Sequence, residues 1–179
     1  MNKLSFNIAL GGIVSALCIL LMFLVGVLPF FVYVFPMLCS FLLGVVHYEC
    51  GLKISLVAYV SISILSLILS PDKESSIIFT AFFGYYPMAK IYLDRINLKL
   101  WRRLIKFSIF NFSVIASYYI LIFLFGVVDM SEINGDFGEF GVALLLLIAN
   151  LSFAAYDYAI KVLTDRYISS WRRLIFKRR

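Results

Sequence analysis

The sequence predicts an all-α bundle of membrane-spanning helices, and three observations carry that prediction. Composition is the first. Of the 179 residues 63% are hydrophobic, and mean hydropathy is +1.00, whereas a soluble domain holds ~45–50% apolar residues. That surplus has no aqueous core to fill, so the solvent is lipid. The second is run length. The apolar runs far exceed the ~9–11 residues of a membrane strand and show no alternation of polar and apolar residues. The third is charge placement. Lys and Arg cluster at the ends of the apolar runs, where they mark orientation because they resist translocation.

The stretch Lys90–Lys106, KIYLDRINLKLWRRLIK, sets the orientation. It carries Lys90, Arg95, Lys99, Arg102, Arg103 and Lys106 against one acid, Asp94, and apolar runs flank it. It reads as a cytoplasmic connection between two spans. Six segments follow from the pattern: Phe6–Leu28, ended by Pro29; Phe30–Val46; Leu52–Ser70, ended by Pro71; Ser75–Ala89; Leu104–Val128; and Gly138–Ile160. A basic tail, 161–179, completes a single integral membrane domain over 1–179. The fourth segment is short. At 1.5 Å per residue it spans ~22 Å, against a ~30 Å hydrocarbon core. It crosses if its flanks extend it or the bilayer thins.

Six crossings put both termini on the cytoplasmic side of the cell inner (plasma) membrane. Inside then lie Lys3, Lys53, the six cations of the Lys90–Lys106 stretch, and Lys161, Arg166, Arg172, Arg173, Lys177, Arg178 and Arg179. Only Lys73 falls outside, beside Asp72, Glu74, Asp129, Glu132, Asp136 and Glu139. The net charge of +6 is therefore an orientation signal and no pointer to nucleic acid. The repeat WRRLI at Trp101–Ile105 and Trp171–Ile175 suits interfacial anchors, with a partner-docking helix as the alternative.

Cys18, Cys39 and Cys50 have no metal-like spacing and read as buried free thiols. The first apolar run is too long for a signal-peptide core, and Leu17 is too large for a lipoprotein site before Cys18, so the run is expected to be retained.

Three groups of residues are candidates for function. Ala9, Gly12 and Ala16 line one face of the first helix. Small residues let another helix approach closely in lipid, either a helix of this chain or one of another subunit. His47, Glu49, Tyr85, Tyr86, Lys90, Asn111, Asp157 and Lys161 converge on the inner side. Ionisable groups there need partners, so Glu49 and Asp157 are expected to pair with Lys90 or Lys161, tying segments two, four and six together. That network is either structural or a ligand or proton site. Pro87 kinks segment four or simply marks its boundary. The outer group is Asp72 and Lys73 with Asn134, Asp136 and Glu139 of the 129–139 loop, which is a lid or a solvated loop.

Enzyme chemistry has little footing. One histidine excludes a multi-histidine metal site, and no phosphate-cradling loop or nucleophile elbow is present. No metal or cofactor is expected.

The length, the six helices, the short fourth segment, the small-residue face Ala9, Gly12 and Ala16, and the lack of an ATPase signature resemble an S component of an energy-coupling factor (ECF) transporter. The resemblance covers the whole chain, through layout; only the first-helix stripe is motif-like. It implies a substrate-binding membrane subunit for a vitamin or other small micronutrient, joined to a transmembrane coupling subunit and two ATPases. It gives Ala9, Gly12 and Ala16 the contact with the coupling subunit, and the substrate the outer half. The dense inner polar group departs from that pattern. The chain is also similar in layout to the MreD family of cell-shape proteins, which implies a scaffold recruiting partners at its cytoplasmic face. A membrane enzyme using His47, Glu49 or Asp157 is the third class.

Overall fold

The computed structural model describes residues 3–125 and 141–172. Every regular element among them is helical. In chain order these are α1 (Lys3–Leu24), a 3₁₀ turn at Pro29–Phe31, α2 (Val34–Cys50), α3 (Leu52–Leu69), α4 (Lys73–Ile78), a π turn at Phe79–Phe83, α5 (Tyr86–Leu93), α6 (Lys99–Ile120), a second π turn at Leu121–Phe125, α7 (Gly141–Arg166) and a third π turn at Tyr167–Trp171.

Four helices are long and apolar enough to cross a membrane: Leu4–Leu24, Leu52–Leu69, Lys99–Phe123 and Leu146–Ser170. Val34–Cys50 is a shorter apolar helix. Large apolar side chains face outward along them, with Phe112 75% and Phe123 89% exposed. Greasy surface on this scale is what a lipid-solvated bundle presents, because the bilayer removes any penalty for it.

Several boundaries differ from the sequence expectation. The α1 helix stops at Leu24, and a connection with its own 3₁₀ turn replaces the very short turn predicted before Phe30. The α2 helix starts and ends four residues later than predicted. Pro36 sits in its first turn, where its missing N–H has no helical acceptor to serve. At the other end Gly51, with φ 83°, turns the chain directly into α3 while its N–H donates to the His47 carbonyl.

The fourth segment is longer than predicted, and broken. Helical backbone runs from Lys73 to Leu93 with its repeat disturbed in the middle. The Gly84 N–H reaches back to the Phe79 carbonyl at 2.7 Å, skipping Thr80. The freed Thr80 carbonyl accepts from the Tyr59 hydroxyl at 2.7 Å. Pro87, near the start of α5, lacks the N–H that would continue the ladder. Gly84 is required by packing: a Cβ there would lie 2.5 Å from the Tyr59 ring. Pro87 is therefore part of a true interruption.

The cationic stretch Lys90–Lys106 is mostly helix and only briefly loop. Lys90 rides on α5, and Lys99, Arg102, Arg103 and Lys106 ride on the first two turns of α6. The predicted tail is likewise helical through residue 172, since α7 and its π turn run past Ile160.

The core lies where α2 meets α1, α3, the broken segment and α7. Cys18, Met22, Cys39, Leu43, Val46 and Ile62 fill one part. An aromatic cluster fills the other, with Phe82 edge-on to Phe83, Phe110 and Phe153, and Phe110 stacked on Phe153 at 4.6 Å. The three cysteines are free, as expected. Cys18 and Cys39 are buried, each donating to the other's carbonyl across α1 and α2.

The two ends of the bundle differ. At one, the Ser70 hydroxyl donates to the Met22 carbonyl at 2.9 Å and Tyr33 to Glu74 at 2.9 Å, joining the α1–α2 and α3–α4 connections. At the other, the Cys50 thiol donates to the Asn7 carbonyl, His47 bonds Ser55 and meets Tyr92 edge-on, and Arg172 pairs with Glu49. Of the described Lys and Arg residues whose side chains are placed, only Lys73 belongs to the first end.

Candidate functional site

The densest chemistry sits at the basic end, between α5, α6 and α7. Lys90 near the end of α5, Lys106 two turns into α6, Asp157 on α7 and Asp94 just after α5 form one ion cluster. Lys106 lies 2.7 Å from Asp94 and 3.2 Å from Asp157, and Lys90 pairs with Asp157 and lies 3.6 Å from Asp94. The Tyr86 hydroxyl donates to the same Asp157 oxygen at 2.6 Å. Both lysine side chains are under a tenth exposed. Two cations balance two carboxylates, so burial leaves no net charge uncompensated.

The sequence reading placed Lys90, Tyr86 and Asp157 together, and they meet. It omitted Lys106 and Asp94. The signals were there: Asp94 is four residues after Lys90, one helical turn, and Lys106 interrupts an apolar helical run. Lys161 is exposed and takes no part in the cluster.

Glu49 has a different partner from those expected. Its Oε1 accepts from Arg172 Nε at 2.9 Å and from the Tyr167 hydroxyl at 3.0 Å, fastening the end of α7 to the end of α2. Reach from a stretch expected to be tail could not have been read from the sequence. His47 stays apart, with Nδ1 3.0 Å from the Ser55 hydroxyl. Tyr85 bonds Ser113 at 2.8 Å. Asn111 donates to Asn150 Oδ1 at 2.9 Å and accepts from Asn150 Nδ2 at 3.1 Å, a reciprocal amide pair between α6 and α7. Asn150 was missed, although a lone amide in an apolar helix needs a partner. The predicted inner network is thus five separate contacts, and the ion cluster among them is saturated by its own members.

At the opposite end Asp72 and Lys73 are engaged with the backbone. The Asp72 carboxylate caps α4 by accepting from the Ser75 N–H at 2.9 Å. The Lys73 ammonium donates to the Leu67 and Ser70 carbonyls at 2.8 and 2.9 Å, closing the end of α3. Asp72 also borders an open depression of about 250 Å³ lined by Val25, Gly26, Pro29, Val32 and Pro71. Burial, and then the Glu74 carboxylate, push the Tyr33 phenol up to about 12. Asn134, Asp136 and Glu139 lie outside the described residues.

The small-residue face of α1 points away from the bundle. Ala9, Gly12 and Ala16 are all exposed. A Cβ added at Gly12 would meet nothing within 4 Å, whereas one at Gly11 would lie 3.0 Å from Ile54 of α3. Adjacent glycines therefore serve opposite sides of the helix: Gly11 admits α3, and Gly12 faces out.

Among the described residues no group of His, Cys, Asp or Glu could hold a metal ion. No family model matches the chain, and no curated protein or solved structure matches it either.

Proposed function

We propose that this chain is the substrate-binding membrane subunit of an ATP-driven uptake complex of the ECF type, taking a vitamin or another small micronutrient. The chain crosses the plasma membrane six times, with both termini and the basic end in the cytoplasm. Two features support the crossings. The segment from Lys73 to Leu93 is about 30 Å long at 1.5 Å per residue, enough for a hydrocarbon core. The described cations, Lys73 apart, gather at one end.

The observation that carries the proposal is the outward face of Ala9, Gly12 and Ala16. A stripe of small residues left exposed by the described part of its own chain is suited to receive a helix of another, because close backbone approach drives association in lipid. The coupling subunit is that partner. Substrate binds at the opposite end, over the depression beside Asp72, and Asn134, Asp136 and Glu139 are the further residues the sequence offers for it.

A second reading is a scaffold subunit, MreD-like, recruiting partners at its cytoplasmic face. It is favoured by the engagement of Asp72 and Lys73 with their own backbone and by the concentration of charge at the basic end. Mild purification of the tagged chain from its own cells separates the two. Uptake requires a transmembrane coupling subunit and ATPases among the retained proteins. Cell-envelope partners alone, with no ATPase, would rule transport out.

A further inference from the structure

We infer that the start of α6 binds the headgroups of anionic phospholipids and holds them against the basic end of the bundle. Of the acids at that end, Asp94 and Asp157 are held by Lys90 and Lys106, and Glu49 by Arg172 and Tyr167, which leaves Asp165 of α7 exposed. Those three carboxylates are engaged with these partners and do little to offset the outer cations. Arg95, Lys99 and Arg103 remain on the surface, all exposed, and among the described residues no carboxylate lies within ion-pair distance of any of them. Lys99 and Arg103 are one turn apart on α6. Arg95 lies in the connection before that helix, four residues ahead of Lys99, its guanidinium over the Tyr92 ring at 5.5 Å.

Apolar side chains at the same level complete the surface. Leu100, Trp101 and Leu104 are more than half exposed. Trp101 and Leu104 begin a stripe that continues along α6 through Phe112 and Tyr119, both widely exposed. A ligand that fits must carry negative charge at the level of Lys99 and Arg103 and hydrocarbon along the helix below. An anionic phospholipid carries both. Cations beside a span attract such lipids, and the indole belongs at the headgroup level. An acidic soluble protein would satisfy the charges and leave the stripe uncovered. The inference is independent of the transport proposal.

The test is lipid retention by the full-length chain, exchanged into nanodiscs of equal phosphatidylglycerol and phosphatidylcholine and released into a native mass spectrometer. The wild-type chain is expected to keep phosphatidylglycerol over phosphatidylcholine by on the order of tenfold, falling as salt is raised. The triple variant R95Q/K99Q/R103Q is expected to lose most of that preference, and R95K/K99R/R103K to keep it. Should the triple variant fail to fold, K99Q/R103Q serves in its place. Equal retention of both lipids by the wild type overturns the inference. So does a preference that survives neutralisation of these residues, since the lipid would then be held by other cations of the chain.

Discussion

Lys90 of α5, buried, and Asp157 of α7, half-buried, form an ion pair that joins the broken fourth segment to the last helix. Lys106 and Tyr86 converge on the same carboxylate, so one side chain gathers α5, α6 and α7. In a bilayer such a charge cannot be rehydrated cheaply, which makes Asp157 the residue whose loss the bundle should feel most.

Asp157→Ala leaves Lys90 and Lys106 sharing only Asp94. Removing one partner of a buried pair costs about 3–5 kcal/mol. Equilibrium unfolding in detergent should show that loss for Asp157→Ala, and a much smaller one for the double variant Lys90→Met, Asp157→Leu. Equal losses in single and double variants would mean that the cluster does not act as a unit.

The interrupted helix makes a steric prediction. Gly84→Ala pushes a methyl group against the Tyr59 ring, an overpacking expected to cost about 1–3 kcal/mol. Tyr59→Phe keeps the ring and deprives the Thr80 carbonyl of its donor, at about 1–3 kcal/mol. Tyr59→Phe should not rescue Gly84→Ala, because the clash is with ring carbons. Thermal melting of the three variants checks this.

The two glycines of α1 should separate folding from association. Gly11→Leu forces a side chain onto Ile54 and should lower the melting temperature. Gly12→Leu meets open space, so it should melt like the wild type or slightly higher, since leucine is the better helix former. In a pull-down under mild detergent, however, Gly12→Leu should lose the proposed coupling subunit. A Gly12→Leu chain that keeps its partners would remove the docking role of that face.

Tyr33 and Glu74 predict an alkaline dependence at the opposite end. The Tyr33 pKa is raised from 10.0 to about 12, so the protonated phenol is favoured in the folded chain. Its contribution is complete below pH 10, and it is lost as pH rises to about 12, when a phenolate would face the carboxylate. The ultraviolet difference titration between wild type and Tyr33→Phe should show the missing phenol ionising late. A difference step at the ordinary tyrosine range would contradict the bridge.

What the sequence disclosed follows from the range of each interaction. The apolar runs and cation clusters are properties of single segments, and they foretold the helices and the unequal ends. Three centres could not be read from one segment. The Thr80 carbonyl is freed by a π turn and satisfied by Tyr59, which is 21 residues away. Glu49 finds Arg172 across 123 residues. Asn111 and Asn150 choose each other only once α6 and α7 are side by side. Of the expected pairings with Lys90 or Lys161, Asp157 meets Lys90 and Glu49 meets neither, while Lys161 is exposed on α7. Its spacing of four from Asp157 placed it on a neighbouring turn and said nothing about the partners on α5 and α6.

Whether this bundle holds a small-molecule substrate is decided by the native mass of the isolated chain purified from cells grown in rich medium. The account predicts a second species, heavier by one vitamin-sized molecule, that disappears on unfolding and diminishes when Asp136 and Glu139 are replaced by alanine. A chain found only at its bare mass, from preparations in which the coupling subunit and ATPases are also absent, would contradict it.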